Sequence, residues 1–368
     1  MRAFTILPTV LIAACATNQA VPKTPQAAQA AFPPDTKIQR LLDERISARS
    51  GRGVVLATLG PGRATRIYSA GTSGKAGLPL DGNTLFEIGS ITKTLTASLL
   101  AEMVERGELK LDEPVQPYLP SSVKMPTKNG GEITFVDLAT HTSGLPLLPE
   151  NISPKDESNP FSDYSVEMLD AFTSGYQLPT EIGERYQYSA VGYGLLGRAL
   201  GQRLGTSWED AVVTRVAIPL GMNSTRASLD SRLLARLARG HDEAGNIVSN
   251  WDIPALPAMG ALRSSANDLL KFLAANIDSS SRPFGRIFAA MHTPRTVMDE
   301  ETRVGLAWQT GHATNRTIVW HGGGTGGYRS LVAFEPSTRF GVVVLSNWAG
   351  GADDIGFHLL DNTLPVKP

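Results

Sequence analysis

Segments with the pattern of β-strands occur near both ends of this 368-residue chain. Near the start, GVVLATL at 53–59 and ATRIYSA at 64–70 are separated by GPG, which suits a hairpin loop. Near the end, glycine and proline separate four more strand candidates: TRVGLAWQT, RTIVWH, YRSLVAFEP and FGVVVLSN. Strands this far apart in sequence share a sheet only if the chain returns to its start. The sequence therefore predicts one mostly antiparallel sheet built from both termini.

Helical patterns complete the prediction of an α+β fold. A helix at about 36–49 and a short helix near 352–362 are expected to flank the sheet, which spans about 36–70 and 300–368. The middle of the chain, about 71–300, has a mostly helical pattern with long loops and predicts an inserted helical lobe. Because binding sites tend to lie in clefts, a site is expected in the groove between sheet and lobe.

The first fifteen residues, MRAFTILPTVLIAAC, have the layout of a secretory signal. A short apolar stretch, interrupted by Pro8 and too short to span a bilayer, ends in small residues directly before Cys15. This ending resembles a bacterial lipobox, in which the cysteine is lipidated and becomes the mature N-terminus. Cys15 is the only cysteine of the sequence, so a disulfide within the chain does not explain it. The alternative is an ordinary cleaved signal with an incidental cysteine.

The residues after Cys15 predict a tether and a location. Residues 16–35 are rich in Ala, Pro and Gln and indicate a flexible linker, so the folded domain is expected at 36–368. Ala16 differs from the acidic residue that commonly retains such lipoproteins at the inner membrane. The sequence therefore predicts export to the periplasm of a Gram-negative bacterium, with attachment to the outer membrane through the lipid anchor only.

Composition argues against two classes of function. The formal net charge is −1 and no run of like charges occurs, so no nucleic-acid partner is expected. The six histidines are scattered without HxH or HExxH spacing, so neither a catalytic metal nor another cofactor is expected.

The segment FEIGSITK at 86–93 carries the strongest chemical signal. It places Ser90 and Lys93 three residues apart at the start of a long apolar helix, so both side chains lie on one face. A serine hydroxyl is a poor nucleophile until a base takes its proton, and a desolvated lysine can do so. The sequence predicts Ser90 as a nucleophile and Lys93 as its activating partner.

An SxxK pair alone is a weak signal. A second pair, Ser121 and Lys124, lies between Pro120 and Pro126, where no helix can fix its geometry. For Ser90 itself, the alternative is a serine that merely caps the helix. Motifs elsewhere in the sequence therefore have to distinguish a nucleophilic serine from a helix cap.

Three further segments resemble motifs of the serine β-lactamase-like, penicillin-recognising superfamily. HTSGLP at 141–146 is a familiar element of these proteins, and ERYQYSA at 184–190, with GYGLLG after it, resembles their YxN segment. WHGGGTGGY at 320–328 resembles their KTG strand, which is written HxG in many esterases and peptidases. Order and spacing match the branch that contains class C β-lactamases, DD-peptidases and family VIII esterases. The resemblance spans nearly all of 36–350 and implies their fold.

The resemblance also implies roles for individual residues. Ser90 would be acylated, and Lys93 and Tyr188 would share general-base and general-acid duty, in an order that is open. Backbone N–H groups of Ser90 and Gly324 would form an oxyanion hole, with the Gly324 amide pointing inward from an edge strand. For Tyr188, the alternative is a buried core tyrosine with one hydrogen bond.

The substrate-binding surface would include His321, Gly322, Gly323 and Ala190. His321 would occupy the position of the KTG lysine, where a cation or donor meets the substrate carboxylate or supports the tyrosine. A satisfied histidine at a strand end is the alternative. His141 is interpreted as structural, tying a loop, and Ser265 as the cap of the helix that follows it.

Two motifs depart from the family pattern. Ala190 stands where YxN has asparagine, and His321 and Gly322 stand where KTG has a lysine and a hydroxyl. Each missing hydrogen bond to a charged group is worth about 1.5–3 kcal/mol, so efficient penicillin turnover is not expected. The prediction is a serine hydrolase that cleaves a carboxylic ester or amide, with small esters or D-amino-acid peptides preferred.

Two alternatives to this function stay open. One is a genuine class C-type β-lactamase, for which the small-molecule partner is a β-lactam. The other is a non-catalytic lipoprotein that keeps the fold but binds peptidoglycan or a protein partner. The two altered motifs motivate this alternative, because one fold can serve many functions.

Replacing Cys15 by serine is expected to release the protein from membranes, because a hydroxyl cannot carry the thioether-linked lipid. Cell fractionation and immunoblotting of the full chain measure this, with Ala16→Ser as the matched control that stays membrane-bound. Unchanged membrane association of Cys15→Ser would contradict lipidation.

Overall fold

The computed structural model describes residues 31–47, 52–278, 280, 283–313 and 316–367. The predicted signal at 1–15, with Cys15, and most of the predicted linker lie outside the described residues. Within them, the first helix begins at Asp35. Phe32 already packs against Phe340, with ring centroids 4.7 Å apart. The packed chain therefore begins a few residues before the predicted start.

Strands from both ends of the described chain form one eight-stranded sheet. The strands of the protein are β1 (Gly53–Leu59), β2 (Thr65–Gly71), β3 (Leu85–Glu87), β4 (Thr127–Lys128), β5 (Gly131–Glu132), β6 (Arg263–Ser265), β7 (Thr296–Val297), β8 (Thr302–Val304), β9 (Gln309–Ala313), β10 (Arg316–Gly324), β11 (Arg329–Glu335) and β12 (Phe340–Ser346). The sheet order is β2-β1-β12-β11-β10-β9-β8-β7, and every pair is antiparallel. The β1–β12 pairing, with Ala57 opposite Val343, confirms the predicted return of the chain to its start.

Helices cover both faces of this sheet. The helices in the described part of the chain are α1 (Asp35–Ile46), α2 (Thr92–Glu105), α3 (Phe135–Thr140), α4 (Val166–Gly175), α5 (Ala190–Leu204), α6 (Trp208–Val212), α7 (Ser231–Leu234), α8 (Ala266–Ile277), α9 (Gly285–His292) and α10 (Asp353–Leu360). The terminal helices α1 and α10 flank the sheet, as predicted. Both pack on one face of it, and α8 packs on the other. None of the described helices is both long and apolar enough to cross a membrane.

Side chains of β12 alternate between two hydrophobic cores. Val342 and Val344 join the core under the terminal helices, whereas Val343 and Leu345 join the larger core shared with the lobe. Because successive strand residues point to opposite faces, a strand covered on both faces needs apolar residues throughout. This is why FGVVVLS lacks the polar alternation of a half-exposed strand.

The prediction of TRVGLAWQT as one strand is wrong. The structure has two strands, β8 and β9, joined by a tight turn in which the Gly305 N–H donates to the carbonyl of Trp308 over 2.8 Å. Ala307 adopts a φ of 65°, and its N–H donates to the carbonyl of Ala139 in the lobe. Trp308 is fully buried. A tertiary backbone contact and a large buried ring therefore break a run that local pattern favours as continuous.

The lobe contains short strands that the sequence pattern did not predict. β3 pairs with β6, and β4 pairs with β5, each as a two-stranded antiparallel sheet. β3 leads directly into the 3₁₀ turn Gly89–Ile91, and α2 follows that turn. Pairing with β6 thus fixes the entry of the chain into the segment that contains the SxxK pair.

The glycines at the end of β10 allow this strand to approach the Gly89–Ile91 turn closely. A Cβ atom on Gly323 would lie 2.1 Å from the Ile88 carbonyl oxygen and 2.5 Å from the Ser330 hydroxyl. The Ser330 hydroxyl donates to the same Ile88 carbonyl over 2.9 Å. By contrast, a Cβ on Gly322 would have its nearest neighbour at 3.8 Å. Among the glycines that end β10, Gly323 is therefore the one at which any side chain would clash with its neighbours.

Gly323→Ala is therefore expected to lower the free energy of unfolding by about 1–3 kcal/mol, because the added methyl overpacks the contact with Ile88. Gly322→Ala, one residue away in the same strand, is the matched control and is expected to stay within about 0.5 kcal/mol of the parent. Denaturant unfolding measures both. Equal stability of the two variants would refute this account of the close approach.

Candidate active site

Ser90 and Lys93 lie on either side of the junction between the 3₁₀ turn and α2. The Lys93 Nζ is 3.1 Å from the Ser90 Oγ, so the pair is in hydrogen-bond contact. Ser90 is partly exposed, whereas Lys93 is buried in the first turn of the helix. No side chain caps the N-terminus of α2. The structure therefore places Ser90 in the 3₁₀ turn, two residues before α2 begins at Thr92, and gives it no capping role there.

Lys93 lies in a largely apolar environment. Its Nζ donates to the carbonyl of Met259 over 2.6 Å and lies 5.1 Å and 5.8 Å from the ring centroids of Tyr188 and Tyr193. No ion pair joins Lys93 to a carboxylate of the described residues. Burial lowers the pKa of Lys93 from its ordinary 10.5 to about 7. Near neutral pH, a substantial fraction of this amine is therefore unprotonated.

The carbonyl of Met259 is a site group that the sequence prediction missed. It ends the 3₁₀ turn Pro257–Met259 and accepts a hydrogen bond from the Lys93 amine. Ala190, predicted to stand at the asparagine of the YxN motif, is buried and donates its backbone N–H to the carbonyl of Leu147. A backbone acceptor leaves no signal in side-chain patterns, so only the fold could reveal it.

Tyr188 completes the group around Ser90. Burial raises the pKa of Tyr188 well above its ordinary value, and its hydrogen bond with the Ser90 side chain acts in the opposite direction. The phenol is therefore protonated at neutral pH. The structure brings Ser90, Lys93 and Tyr188 together, as the sequence predicted, and leaves Lys93 as the member that titrates near pH 7.

His321, for which the sequence left open the role of a cation or of a hydrogen-bond donor, is neutral in this structure. It is buried on β10, and its Nδ1 lies 2.7 Å from the carbonyl oxygen of Gly322. Burial, and secondarily the charge of Lys93, lower its pKa to about 3, so the ring is neutral. Of the two roles that the sequence left open, a cation or a hydrogen-bond donor, the lowered pKa favours the donor, because desolvation outweighs the single hydrogen bond. Support of the tyrosine by His321 stays a prediction.

Gly324 ends β10, which is an internal strand of the sheet and not the predicted edge strand. However, β9 pairs with β10 only up to Trp320, so the glycines that follow are paired on the β11 side alone within the described residues. The Thr325 N–H donates to the carbonyl of Tyr328. Because successive residues of an antiparallel strand direct their N–H groups to opposite sides, the Gly324 N–H points away from β11. A Cβ on Gly89 would lie only 2.6 Å from the Gly324 nitrogen. The Gly324 amide nitrogen therefore adjoins the turn that carries Ser90.

Three secondary predictions are confirmed. The His141 ring ties two segments, because its Nδ1 accepts the Ser189 N–H over 3.0 Å. Ser265 caps α8 by accepting the N–H of Asp268. The second SxxK pair, Ser121 and Lys124, lies in an irregular segment, outside every helix of the described residues.

A separate surface groove of about 1040 Å³ lies beside α8 and the end of β1. Its lining includes Arg63, Asn83, Arg236 and Lys271, but none of the predicted site residues. Among the described residues, no group of three His, Cys, Asp or Glu side chains is arranged to hold a metal ion. The reactive groups therefore lie at the turn beside β10, away from this groove.

Known proteins with similar sequences include a beta-lactamase of Pseudomonas fluorescens, which is 29% identical over 85% of this chain and 92% of its own length. The D-alanyl-D-alanine-carboxypeptidase/endopeptidase AmpH of Escherichia coli is 26% identical over 82% of this chain and 89% of its own length. Both matches extend over nearly the whole of these relatives.

Solved structures show the same architecture. The octameric penicillin-binding protein homologue from Pyrococcus abyssi matches with a TM-score of 0.78 and 27% identity, over 89% of this chain and 77% of its own. A class C beta lactamase from Rhodobacter sphaeroides matches with a TM-score of 0.75 and 24% identity, over 90% and 98% of the two chains, and supports the fold alone. The Beta-lactamase family model matches residues 38–361, and the chain therefore belongs to the beta-lactamase family.

Proposed function

We propose that this beta-lactamase-family enzyme is a serine hydrolase that cleaves a carboxylic ester or amide through an acyl-enzyme on Ser90. The observation that carries the proposal is the 3.1 Å contact between the Ser90 hydroxyl and the buried amine of Lys93. A lysine whose pKa is lowered to about 7 can accept a proton near neutral pH, which an exposed lysine cannot do efficiently.

In the first half of the proposed reaction, neutral Lys93 accepts the Ser90 proton while Oγ attacks the substrate carbonyl. Backbone N–H groups of Ser90 and Gly324 receive the oxyanion. The phenol of Tyr188 donates its proton to the leaving alcohol or amine and regains one from Lys93. The raised pKa of Tyr188 favours this division of duty, because a phenolate base would be rare at neutral pH.

In the second half, a water molecule attacks the acyl-enzyme. It loses a proton to Lys93, Tyr188 donates its proton to the departing Ser90 Oγ, and Lys93 then returns its proton to Tyr188 as the carboxylic acid forms. Acylation and deacylation thus use the same three side chains, and the protein returns to its starting state without a cofactor.

The proposed substrates are uncharged small esters, with D-amino-acid peptides next. Penicillins carry a carboxylate, and the group at the corresponding position, His321, is neutral with a pKa of about 3. Gly322 lacks a hydroxyl and Ala190 lacks an amide, and each lost bond to a charged group is worth about 1.5–3 kcal/mol. Beta-lactam hydrolysis is the second candidate, favoured by the similarity to the Pseudomonas fluorescens beta-lactamase.

The location of the enzyme is proposed from residues outside the described part of the chain. Residues 1–15 support export, and Cys15 supports a lipid anchor on the periplasmic face of a Gram-negative membrane. A tether of the length of residues 16–35 would leave the active site free to meet diffusing substrates.

Ser90→Ala is expected to abolish fluorophosphonate labelling and to lower turnover of a short-chain p-nitrophenyl ester by on the order of 10³-fold or more. Ser121→Ala removes the serine of the second SxxK pair and is the matched control, with labelling and turnover unchanged. Parallel assays with nitrocefin separate the two candidate activities.

Three outcomes would count against this proposal. Absence of an adduct on the parent protein would favour a non-catalytic binding protein. Faster turnover of nitrocefin than of the ester would reverse the substrate preference. Full activity in Ser90→Ala would place the chemistry elsewhere.

The pH dependence tests Lys93 as the base. Because only the unprotonated amine accepts a proton, kcat/KM for an uncharged ester is expected to rise about tenfold per pH unit below pH 7 and to level off above about pH 7. Steady-state rates across this range measure it, with a second uncharged ester as the control. A profile that keeps rising to about pH 10 would contradict a lowered lysine pKa.

A further inference from the structure

We propose that His141 is a positioning residue that holds the phenol of Tyr188 against Ser90. The inference rests on the proposed role of Tyr188 in the reaction. It extends that function to a residue of the HTSGLP segment, which the sequence indicated only as structural.

His141 contacts the residues on both sides of Tyr188. Its backbone carbonyl accepts the N–H of Gln187 over 2.7 Å, and its ring Nδ1 accepts the N–H of Ser189 over 3.0 Å. Between these two bonds, the His141 ring packs on the Tyr188 ring, with centroids 4.3 Å apart and planes inclined by 32°. One residue therefore fixes the backbone before and after the tyrosine and also one face of its ring.

The end of α3 fixes His141 in turn. The helix begins with a reciprocal cap between Thr134 and Asp137. At its other end, the Asp137 carbonyl accepts the backbone N–H groups of His141 and Thr142. His141 closes this short helix in the left-handed region, with φ 63°. A non-glycine residue persists in this conformation when its surroundings over-determine it. Such a residue is a rigid support for a neighbouring loop.

The chemistry of the ring argues for positioning and not for proton transfer. Nδ1 accepts a hydrogen bond, so the proton of the neutral ring is on Nε2. Burial holds the pKa of His141 well below its ordinary value, and the nearby Lys93 and His321 act in the same direction. Nε2 has no hydrogen-bond partner among the described residues, a cost that a phenylalanine would avoid. Packing alone thus does not explain a histidine here, whereas the bond to Ser189 does.

Two variants test the contributions of the His141 ring and of its Nδ1 acceptor separately. His141→Phe keeps an aromatic face against Tyr188 but removes the acceptor for the Ser189 N–H. His141→Asn places an oxygen at the position of Nδ1, tolerates the left-handed backbone and removes the ring. Each is made alone and together with Tyr188→Phe, and kcat/KM for the p-nitrophenyl ester is measured for the fraction of enzyme that a fluorophosphonate labels.

With Tyr188 present, His141→Phe is expected to lower kcat/KM by about tenfold to a hundredfold, because small misplacement of a catalytic group is costly. His141→Asn is expected to lose less, since it retains the bond to Ser189. In the Tyr188→Phe background, both effects are expected to shrink to less than about threefold. Only a residue that acts through Tyr188 shows this loss of effect.

Two results would overturn the inference. If the His141 variants lower kcat/KM equally with and without the Tyr188 hydroxyl, His141 supports the fold and not the tyrosine. If Tyr188→Phe lowers kcat/KM but neither His141 variant does, the positioning role fails while the proposed function stands. Full activity of Tyr188→Phe would instead remove the tyrosine from the proposed mechanism, and the inference with it. Should His141→Phe fail to fold, His141→Asn alone decides.

Discussion

Removal of the Lys93 amine from water is the constraint on which the proposed chemistry depends. The side chain is 1% exposed, and its polar contacts are a serine hydroxyl and one backbone carbonyl. An ion pair would stabilise the charged form and raise the pKa, and none joins Lys93 to the described carboxylates. Burial without a counter-charge therefore makes this lysine a base, and the apolar lobe around α2 supplies that burial.

The other half of the site comes from the opposite end of the sequence. β10 reaches the turn that carries Ser90 because Gly323 leaves room for the Ile88 carbonyl, and the Ser330 hydroxyl then ties the two segments. Where β10 leaves its partner β9, the Gly324 N–H faces away from β11, and its nitrogen lies beside the same turn. The return of the chain that builds the sheet is thus also what assembles the site. This layout explains how Ser90 and the Gly324 amide lie close together although they are far apart in the sequence.

Much of this architecture could be predicted from sequence, because strand alternation and the SxxK spacing are local signals. The rest depends on contacts that local patterns do not contain. The break at Ala307 follows from a backbone bond to Ala139, and the Met259 carbonyl has no side-chain signature. The neutrality of His321 follows from burial, which a motif cannot express.

The most direct test of the account is a site-specific titration of the Lys93 side chain by NMR in the folded protein with isotope-labelled lysine. Lys93→Met, a neutral side chain of similar length, identifies the signal by its disappearance. The account predicts a Lys93 pKa of about 7. A Lys93 signal that titrates near the ordinary value of 10.5 would show that the amine stays charged at neutral pH and would contradict its role as the base.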